Sequence, residues 1–389
     1  MGSNPQKSVV RIGHLLTSLW PGGIEQFVLS LAKGLPKDRF ETKVYSWMGD
    51  DPWRDEFTSN GIEVFATQGP NRCKSPRDLA KISKAWWQLQ ARLRRDRIDI
   101  LHTHDFFPAL VGRTASHLAG VPARVTTLHN LYEWWPKWAF SANRILARGT
   151  GSITCVSESV RQFMIDHERL PADRYRTILN GVDERRFHPD SGIRTQERQA
   201  LGIGSDEILV GSVGSITTRK AQWILAKAVA PLIHEGIPLQ VRIWGANGDN
   251  PQHAEKELRD LVASLGIEER FKLMAPRKDI QRVYNAMDFH CMTSVAEGLS
   301  LASVEAMMCG VVPIYSDIGP FREVVDDRVT GRLFQSGNPG DLERVLRQVL
   351  GEAGLRERMA DSIRGESMKR FGLSRMVGEY AGIYEAVLK

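Results

Sequence analysis

Along this chain the apolar positions keep changing their period. Short apolar runs of strand length alternate with stretches whose apolar residues recur every three or four positions. Val9-Val-Arg-Ile-Gly-His-Leu-Leu reads as a first strand. Pro21-Gly22-Gly23 reads as a turn, and Ile24 to Leu35 as an amphipathic helix. Further strands are expected over Glu41 to Ser46, Ile98 to His102, Ala123 to Leu128 and Gly151 to Val156. Asn180-Gly-Val-Asp then opens a polar stretch to about Gln199 that reads as a linker. A second series follows, with strands at Ile208 to Ser212, Leu239 to Trp244, Phe271 to Met274, Phe289 to Met292 and Val311 to Tyr315, and helix from about Glu343 onward. Strand and helix in strict alternation predict an α/β protein with parallel sheets. No short-period repeat is present, yet the two halves share one βα rhythm. Two Rossmann-like halves facing across a cleft are the economical architecture.

Composition narrows the picture. A chain of 389 residues exceeds the size at which one core keeps growing, so two domains are expected. Apolar content of 42% and charged content of 25% describe an ordinary globular protein. No run reaches the ~18 apolar residues of a membrane span. The start, MGSNPQKSVV, lacks the apolar core of a signal peptide, and Gln6 breaks the myristoylation pattern. Four scattered cysteines (Cys73, Cys155, Cys291, Cys309) without C-x-x-C spacing fit reduced thiols rather than a disulfide frame or zinc site. A cytoplasmic place is expected, with a peripheral one at the inner membrane face also open. A formal charge of +6 and a pI near 9.1 favour anionic partners: nucleoside diphosphates first, then anionic lipid surfaces. Nucleic acid is not expected, for want of a binding module or dense basic tract.

The candidate chemistry centres on two acids eight positions apart, Glu297 and Glu305, in AEGLSLASVEAMMCG. On one helix they would stand about 80° apart around the axis. A better arrangement puts Glu297 on a loop and Glu305 in the first turns of the helix that follows. The N–H groups of Ser300, Leu301 and Ala302 would then face a ligand with a carboxylate on either side, which suits a phosphate joined to hydroxyl-rich sugars. Other segments sit where parallel sheets place their ligands. Gly22 and Gly23 lie between strand and helix and let backbone approach a ligand. His102, His104 and His129 follow apolar strands directly. H-x-H with one distant histidine falls short of the three convergent ligands a metal needs. Gly214-Ser-Ile-Thr-Thr-Arg219-Lys220-Ala221 carries two cations after a strand, and Pro276-Arg277 and Ser316-Asp-Ile-Gly-Pro320 with Glu323 follow two more. Taken one at a time, each also reads as plain structure.

Together, and in this order, these segments resemble the retaining glycosyltransferases of family 4, which have the GT-B fold and an E-x7-E motif. The resemblance covers nearly the whole chain. It implies an N-terminal acceptor-binding domain over 1–184, a donor-binding domain over 185–373, and a last helix, about 374–389, packing back on the first. It makes Glu297 the sugar-side acid and Glu305 the ribose clamp. His129, ranked above His102 and His104, lies by the transferring sugar. Gly22 and Gly23 form the loop that closes on the donor. Arg219 and Lys220, with the amides of 300–302, neutralise the diphosphate, and Pro276 and Arg277 frame the base. The usual V-G-R-L-x-x-x-K-G differs here in two places: Ser215 replaces the Arg and Ala221 the second Gly. Arg219 stands ready to supply the missing charge.

The implied reaction is hexosyl transfer with retention from a nucleotide sugar, UDP-sugar before GDP-sugar. The product would be an envelope or exopolysaccharide glycan or a natural-product glycoside. No D-x-D occurs, so no divalent metal and no cofactor is expected. Aromatic residues from Leu131 to Phe140, and Trp86-Trp87 ahead of Arg92, Arg94 and Arg95, suit a lipid-linked or sugar acceptor, or equally a packed core. Two other readings stand beside this one: a nucleotide-sugar 2-epimerase of the same fold, and a non-catalytic nucleotide-sugar binding protein. A dehydrogenase is disfavoured, since Gly245-Ala-Asn-Gly248 has the wrong spacing for a dinucleotide loop.

Overall fold

The computed structural model describes residues 9–70, 75–133, 135–246, 253–352 and 354–389. Cys73, Trp134, Gly248 and the first eight residues, named above, lie outside them.

The chain divides into two compact units, Met1–Gly181 with Leu373–Lys389, and Val182–Gly372. The sequence reading had set these divisions at 184/185 and 373/374. The first unit holds a seven-stranded parallel sheet. Its strands are β1 (Val10–Leu16), β2 (Phe40–Ser46), β3 (Glu63–Ala66), β4 (Ile100–His104), β5 (Ala123–Leu128), β6 (Ser152–Cys155) and β7 (Tyr175–Thr177), in spatial order 3-2-1-4-5-6-7. The second unit holds a six-stranded parallel sheet of β8 (Ile208–Val213), β9 (Leu239–Trp244), β10 (Phe271–Met274), β11 (Phe289–Met292), β12 (Val312–Ser316) and β13 (Arg332–Phe334), in order 10-9-8-11-12-13. In both sheets the order reverses beside the first strand, between β1 and β4 and between β8 and β11. Crevices for ligands open at the carboxyl ends of strands at such points.

Three strands escaped the pattern: β3, β7 and β13. All are edge strands of three or four residues with partly exposed side chains. A strand so short and half-solvated carries too little apolar signal to stand out. The expected linker also needs correction, because Ser191–Ala200 is a helix. Asp190 caps it by accepting the Ile193 N–H at 2.8 Å. Its buried face is charged rather than apolar. Arg194 and Arg198 both bind Asp288, at 2.5 and 3.0 Å, and Glu197 is buried against Arg277 and Arg282. Polar composition therefore concealed a packed element.

The helix Leu373–Ala386 belongs to the first unit, where Met376, Tyr380 and Tyr384 join Phe27, Val28 and Leu31 in one core cluster. Gly181 is fixed there too, its N–H directed to the Met376 sulfur.

Candidate functional site

In the second unit the loops leaving β8 and β11 are laced together at the point where the strand order reverses. The Val295 N–H donates to the Arg219 carbonyl at 2.9 Å, and the Thr293 hydroxyl donates to the Lys220 carbonyl at 2.9 Å. Glu297 lies on the β11 loop and is buried. Its Oε1 accepts from the Lys220 ammonium and from the Ser294 hydroxyl, each at 2.8 Å. Burial opposes the charge of Glu297. Lys220, the Ser294 hydroxyl and Arg219 outweigh it and hold the carboxyl below its ordinary range. The Ser316 hydroxyl donates to the Ser294 carbonyl at 2.5 Å, so the Ser316–Glu323 segment supports the acid from behind.

Lys220 reaches Glu297 because the strand end beneath it is bare. Gly214 has φ +139°, and a Cβ there would lie 3.1 Å from Lys220 Cε. Gly245, at the end of β9, packs so closely that a Cβ would fall 2.2 Å from the Gly214 carbonyl oxygen. Ala221 has φ +49°. The backbone there adopts the left-handed form that glycine occupies freely and alanine at a cost of ~1–2 kcal/mol. This explains why a glycine suits that position in the resembled pattern.

Glu305 lies on the helix Leu301–Met308, capped by Ser300, whose side chain accepts the Ser303 N–H. The helix starts at Leu301, so Leu301 and Ala302 lie in its first turn. The Tyr284 hydroxyl donates to Glu305 Oε2 at 2.9 Å. Burial raises this carboxyl, opposed by Tyr284 and by Arg186. The two acids thus sit in contrasting settings, one held ionised by a lysine and the other pushed toward protonation. Pro276 and Arg277 follow β10. The Arg277 guanidinium is committed to Glu197 and to Asp279, the latter at 2.6 Å, so its charge is already balanced. Ser215 is exposed, and only its carbonyl is bound, by Gln222 at 3.0 Å. A cavity of about 560 Å³ beside β12 and β13, lined in part by Asp317, Arg322 and Gln335, contains none of the residues assigned to the donor.

In the first unit Gly22 caps the helix Gly23–Gly34, and both glycines are exposed. Glu25, in the first turn, is raised to about 7 by burial; its own backbone lowers it and the charge of Asp105 adds to the rise. His129 follows β5 and is buried, which pushes it down to about 3. Its loop is held by Asp105, which accepts from the His129 N–H at 3.2 Å, the Asn130 amide and the Tyr132 hydroxyl. Asp105 has φ +73° and ψ 173°, a region almost reserved for glycine, which marks an imposed conformation. His129 Nε2 meets His104 Nδ1 at 3.2 Å, and His104 Nε2 meets His14 Nδ1 at 3.0 Å.

His14, Asp105, Ser294 and Tyr284 escaped the sequence reading. His14 lies inside β1, opposite His102 in the register of β1 and β4, so only strand pairing brings it near. Asp105 directly follows β4 and Ser294 lies two residues beyond β11, a signal that was available. Trp87 and Trp138 are exposed, at 58% and 67%, whereas Tyr132 and Phe140 are core residues. Arg92 is paired with Asp96 and Glu63 rather than open to an anionic surface. Among the described residues no helix is long and apolar enough to cross a membrane.

The chain matches two family models, Glycosyltransferase Family 4 over residues 21–186 and Glycosyl transferases group 1 over residues 193–365. It is 26% identical over 398 residues to a D-inositol 3-phosphate glycosyltransferase of Saccharomonospora viridis, covering 94% of this chain and 90% of the relative. It is 23% identical over 391 residues to a UDP-Gal:alpha-D-GlcNAc-diphosphoundecaprenol alpha-1,3-galactosyltransferase of Escherichia coli, covering 97% of each. Its fold is similar to that of Anabaena HepE, solved with UDP and glucose, with a TM-score of 0.85 at 22% identity over 97% of this chain and 100% of that one. Sucrose-phosphate synthase from Thermosynechococcus elongatus gives 0.83 at 17% identity, over 97% and 99%. Two parallel-sheet units with these relatives make the chain a glycosyltransferase of the family 4 type, with the GT-B fold.

Proposed function

We propose that this enzyme moves a hexosyl group, with retention, from a UDP-sugar to an acceptor hydroxyl. The product would belong to an envelope or exopolysaccharide glycan or be a natural-product glycoside. The observation that carries this reading is the Lys220–Glu297–Ser294 constellation at the carboxyl ends of β8 and β11. When the anomeric carbon leaves the β-phosphate oxygen, negative charge grows on the diphosphate. Lys220 has donors beyond the one on Glu297, and with Arg219 and the amides of Ser300, Leu301 and Ala302 it supplies fixed positive potential there. This set does the work often given to a divalent ion, so transfer is metal-independent in this reading. Glu297, held ionised, orients the sugar and stabilises the developing cation on the carbon that the acceptor oxygen attacks from the same face, the acceptor's proton passing to the departing phosphate oxygen.

Glu305 accepts the ribose hydroxyls, and Gly22-Gly23 contributes backbone toward the diphosphate. Because the Arg277 side chain is engaged, the backbone of Pro276 and Arg277 frames the base. His129 holds a hydroxyl of the transferred sugar. UDP is favoured because the names of the Escherichia coli relative and of the HepE structure carry it. A sugar or lipid-linked acceptor suits exposed Trp87 and Trp138, with peripheral contact to anionic membrane as a corollary; sedimentation with anionic vesicles tests that corollary, and none at physiological salt removes it. For the reaction itself, UDP-, GDP- and ADP-sugars are offered with a panel of sugar and lipid-linked acceptors. Anomeric configuration is read by NMR. A product of inverted configuration, or donor binding without transfer to any acceptor, refutes the reading.

A further inference from the structure

Four imidazoles lie together under the carboxyl ends of β1, β4 and β5. His14, His102 and His104 are 0–1% exposed and His129 is 7% exposed. Each ring is pushed below its ordinary pKa by burial, with neighbouring imidazoles adding to the effect at His102 and His104, and Lys37 at His14. All four are therefore neutral near pH 7, and a neutral imidazole has one N–H and one bare nitrogen.

Hydrogen accounting along His14–His104–His129 leaves two arrangements. In one, His14 Nδ1–H donates to His104 Nε2, His104 Nδ1–H donates to His129 Nε2, and His129 carries its remaining hydrogen on Nδ1. In the other, every donor is reversed and His129 Nδ1 is bare. The far end decides between them. His14 Nε2 is fully buried with no partner among the described residues. The first arrangement leaves a bare nitrogen there, the second an orphan N–H, and buried orphan N–H groups are the rarer kind. We propose that His14 and His104 are positioning residues that fix His129 as a neutral hydrogen-bond donor through its Nδ1–H, so that His129 gives a hydrogen bond to the sugar rather than removing a proton. The role of the donated bond rests on the proposed function; the tautomer does not.

Three of these rings also bring nitrogens within 4.8 Å of one another, close enough to suggest a metal site. Two observations favour the ladder. His102 has both nitrogens engaged at 2.7 Å, by Tyr384 and by Thr127. The 3.0 Å between His14 and His104 suits a shared hydrogen, whereas two nitrogens on one tetrahedral zinc stand about 3.3–3.4 Å apart at bonds of about 2.0–2.1 Å.

The test uses the full chain with ¹⁵N-labelled histidine, His129 being assigned by its loss in His129→Asn. Two-bond ¹H–¹⁵N spectra between pH 6 and 8 should show one His129 tautomer, protonated on Nδ1. The titratable groups facing it are His104 and His102 from the sheet and Asp105 and Tyr132 from the loops; Tyr380 and Tyr384 of the last helix lie against His102, and the charge of Lys37 acts on His14. His104→Ala should give mixed tautomers of His129, because nothing then fixes which nitrogen carries the hydrogen, while burial keeps the ring below its ordinary value. His104→Asn, whose amide can donate to Nε2, should restore the single tautomer. Native His129 protonated on Nε2, or stoichiometric zinc in the purified protein that His14→Phe abolishes, overturns the proposal. The native spectrum decides even where a variant does not fold. Absence of transfer with the tautomer as expected would sink the proposed function alone.

Discussion

Lys220 and Glu297 stand 77 residues apart in sequence and 2.8 Å apart in the fold, with side chains only 15% and 8% exposed. A lysine on the loop after β8 thereby sets the charge of an acid on the loop after β11. The pair joins two assignments, diphosphate cation and sugar-side carboxylate, into one electrostatic unit.

Removing one partner should separate stability from chemistry. Lys220→Met strands a buried carboxylate, which costs ~3–5 kcal/mol, and turnover should fall about 10- to 1,000-fold. The Lys220→Met, Glu297→Met double variant should recover most of the melting temperature and none of the activity. The carboxyl lies below its ordinary value of 4.5 in the fold, so the pair's stabilisation is present above pH 4.5 and lost as pH falls through the lower folded value. Thermal melts from pH 3 to 7 check the sign; a native profile flat through that range speaks against the pair.

Glu305 should behave oppositely. Its carboxyl is raised by burial, so its contribution is fullest below pH 4.5 and declines as pH climbs through the folded value. Glu305→Gln keeps an acceptor for Tyr284 and removes the buried charge. Its melting temperature at pH 7 should match or exceed the parent, while the donor KM rises sharply. An unchanged KM removes the ribose role.

Backbone geometry at the β8 loop gives a paired test. Gly214→Ala forces a side chain onto φ +139° and into Lys220, costing ~1–3 kcal/mol and displacing the cation, so donor affinity should drop. Ala221→Gly loses a buried methyl of ~0.8 kcal/mol but relieves a left-handed alanine, so it should stay within ~1 kcal/mol of the parent. Ala226→Gly, a buried alanine in the helix Trp223–His234, should cost ~1–2 kcal/mol by comparison.

Transfer should proceed at full rate in excess EDTA, and added magnesium or manganese should not raise it. Loss of activity in chelator, restored by a divalent ion, would assign part of the diphosphate charge to a metal rather than to Arg219 and Lys220.

The order of apolar runs and turn residues places ten of the thirteen strands of the described residues to within one or two residues, and leaves out β3, β7 and β13. Nine of the ten are interior strands, whose burial on both faces writes a near-continuous apolar run into the chain, and the tenth, the edge strand β10, shows through Phe271, Leu273 and Met274. The other edge strands, β3, β7 and β13, carry no such run. The helix Ser191–Ala200 was hidden for a related reason, since its packing uses Arg194, Glu197 and Arg198, and charge reads as solvent exposure until partners such as Asp288 and Arg277 are in place.

The same division holds at the site. Glu297 on a loop and Glu305 on a helix were legible because glycine and small residues between them end one element and start the next. That Lys220 binds Glu297, that Arg277 is spent on acids, and that His14 stands beside His104 were decided only by folding. Such relations depend on strand order and register, which bring distant segments together, and no local spacing records which side chains will meet.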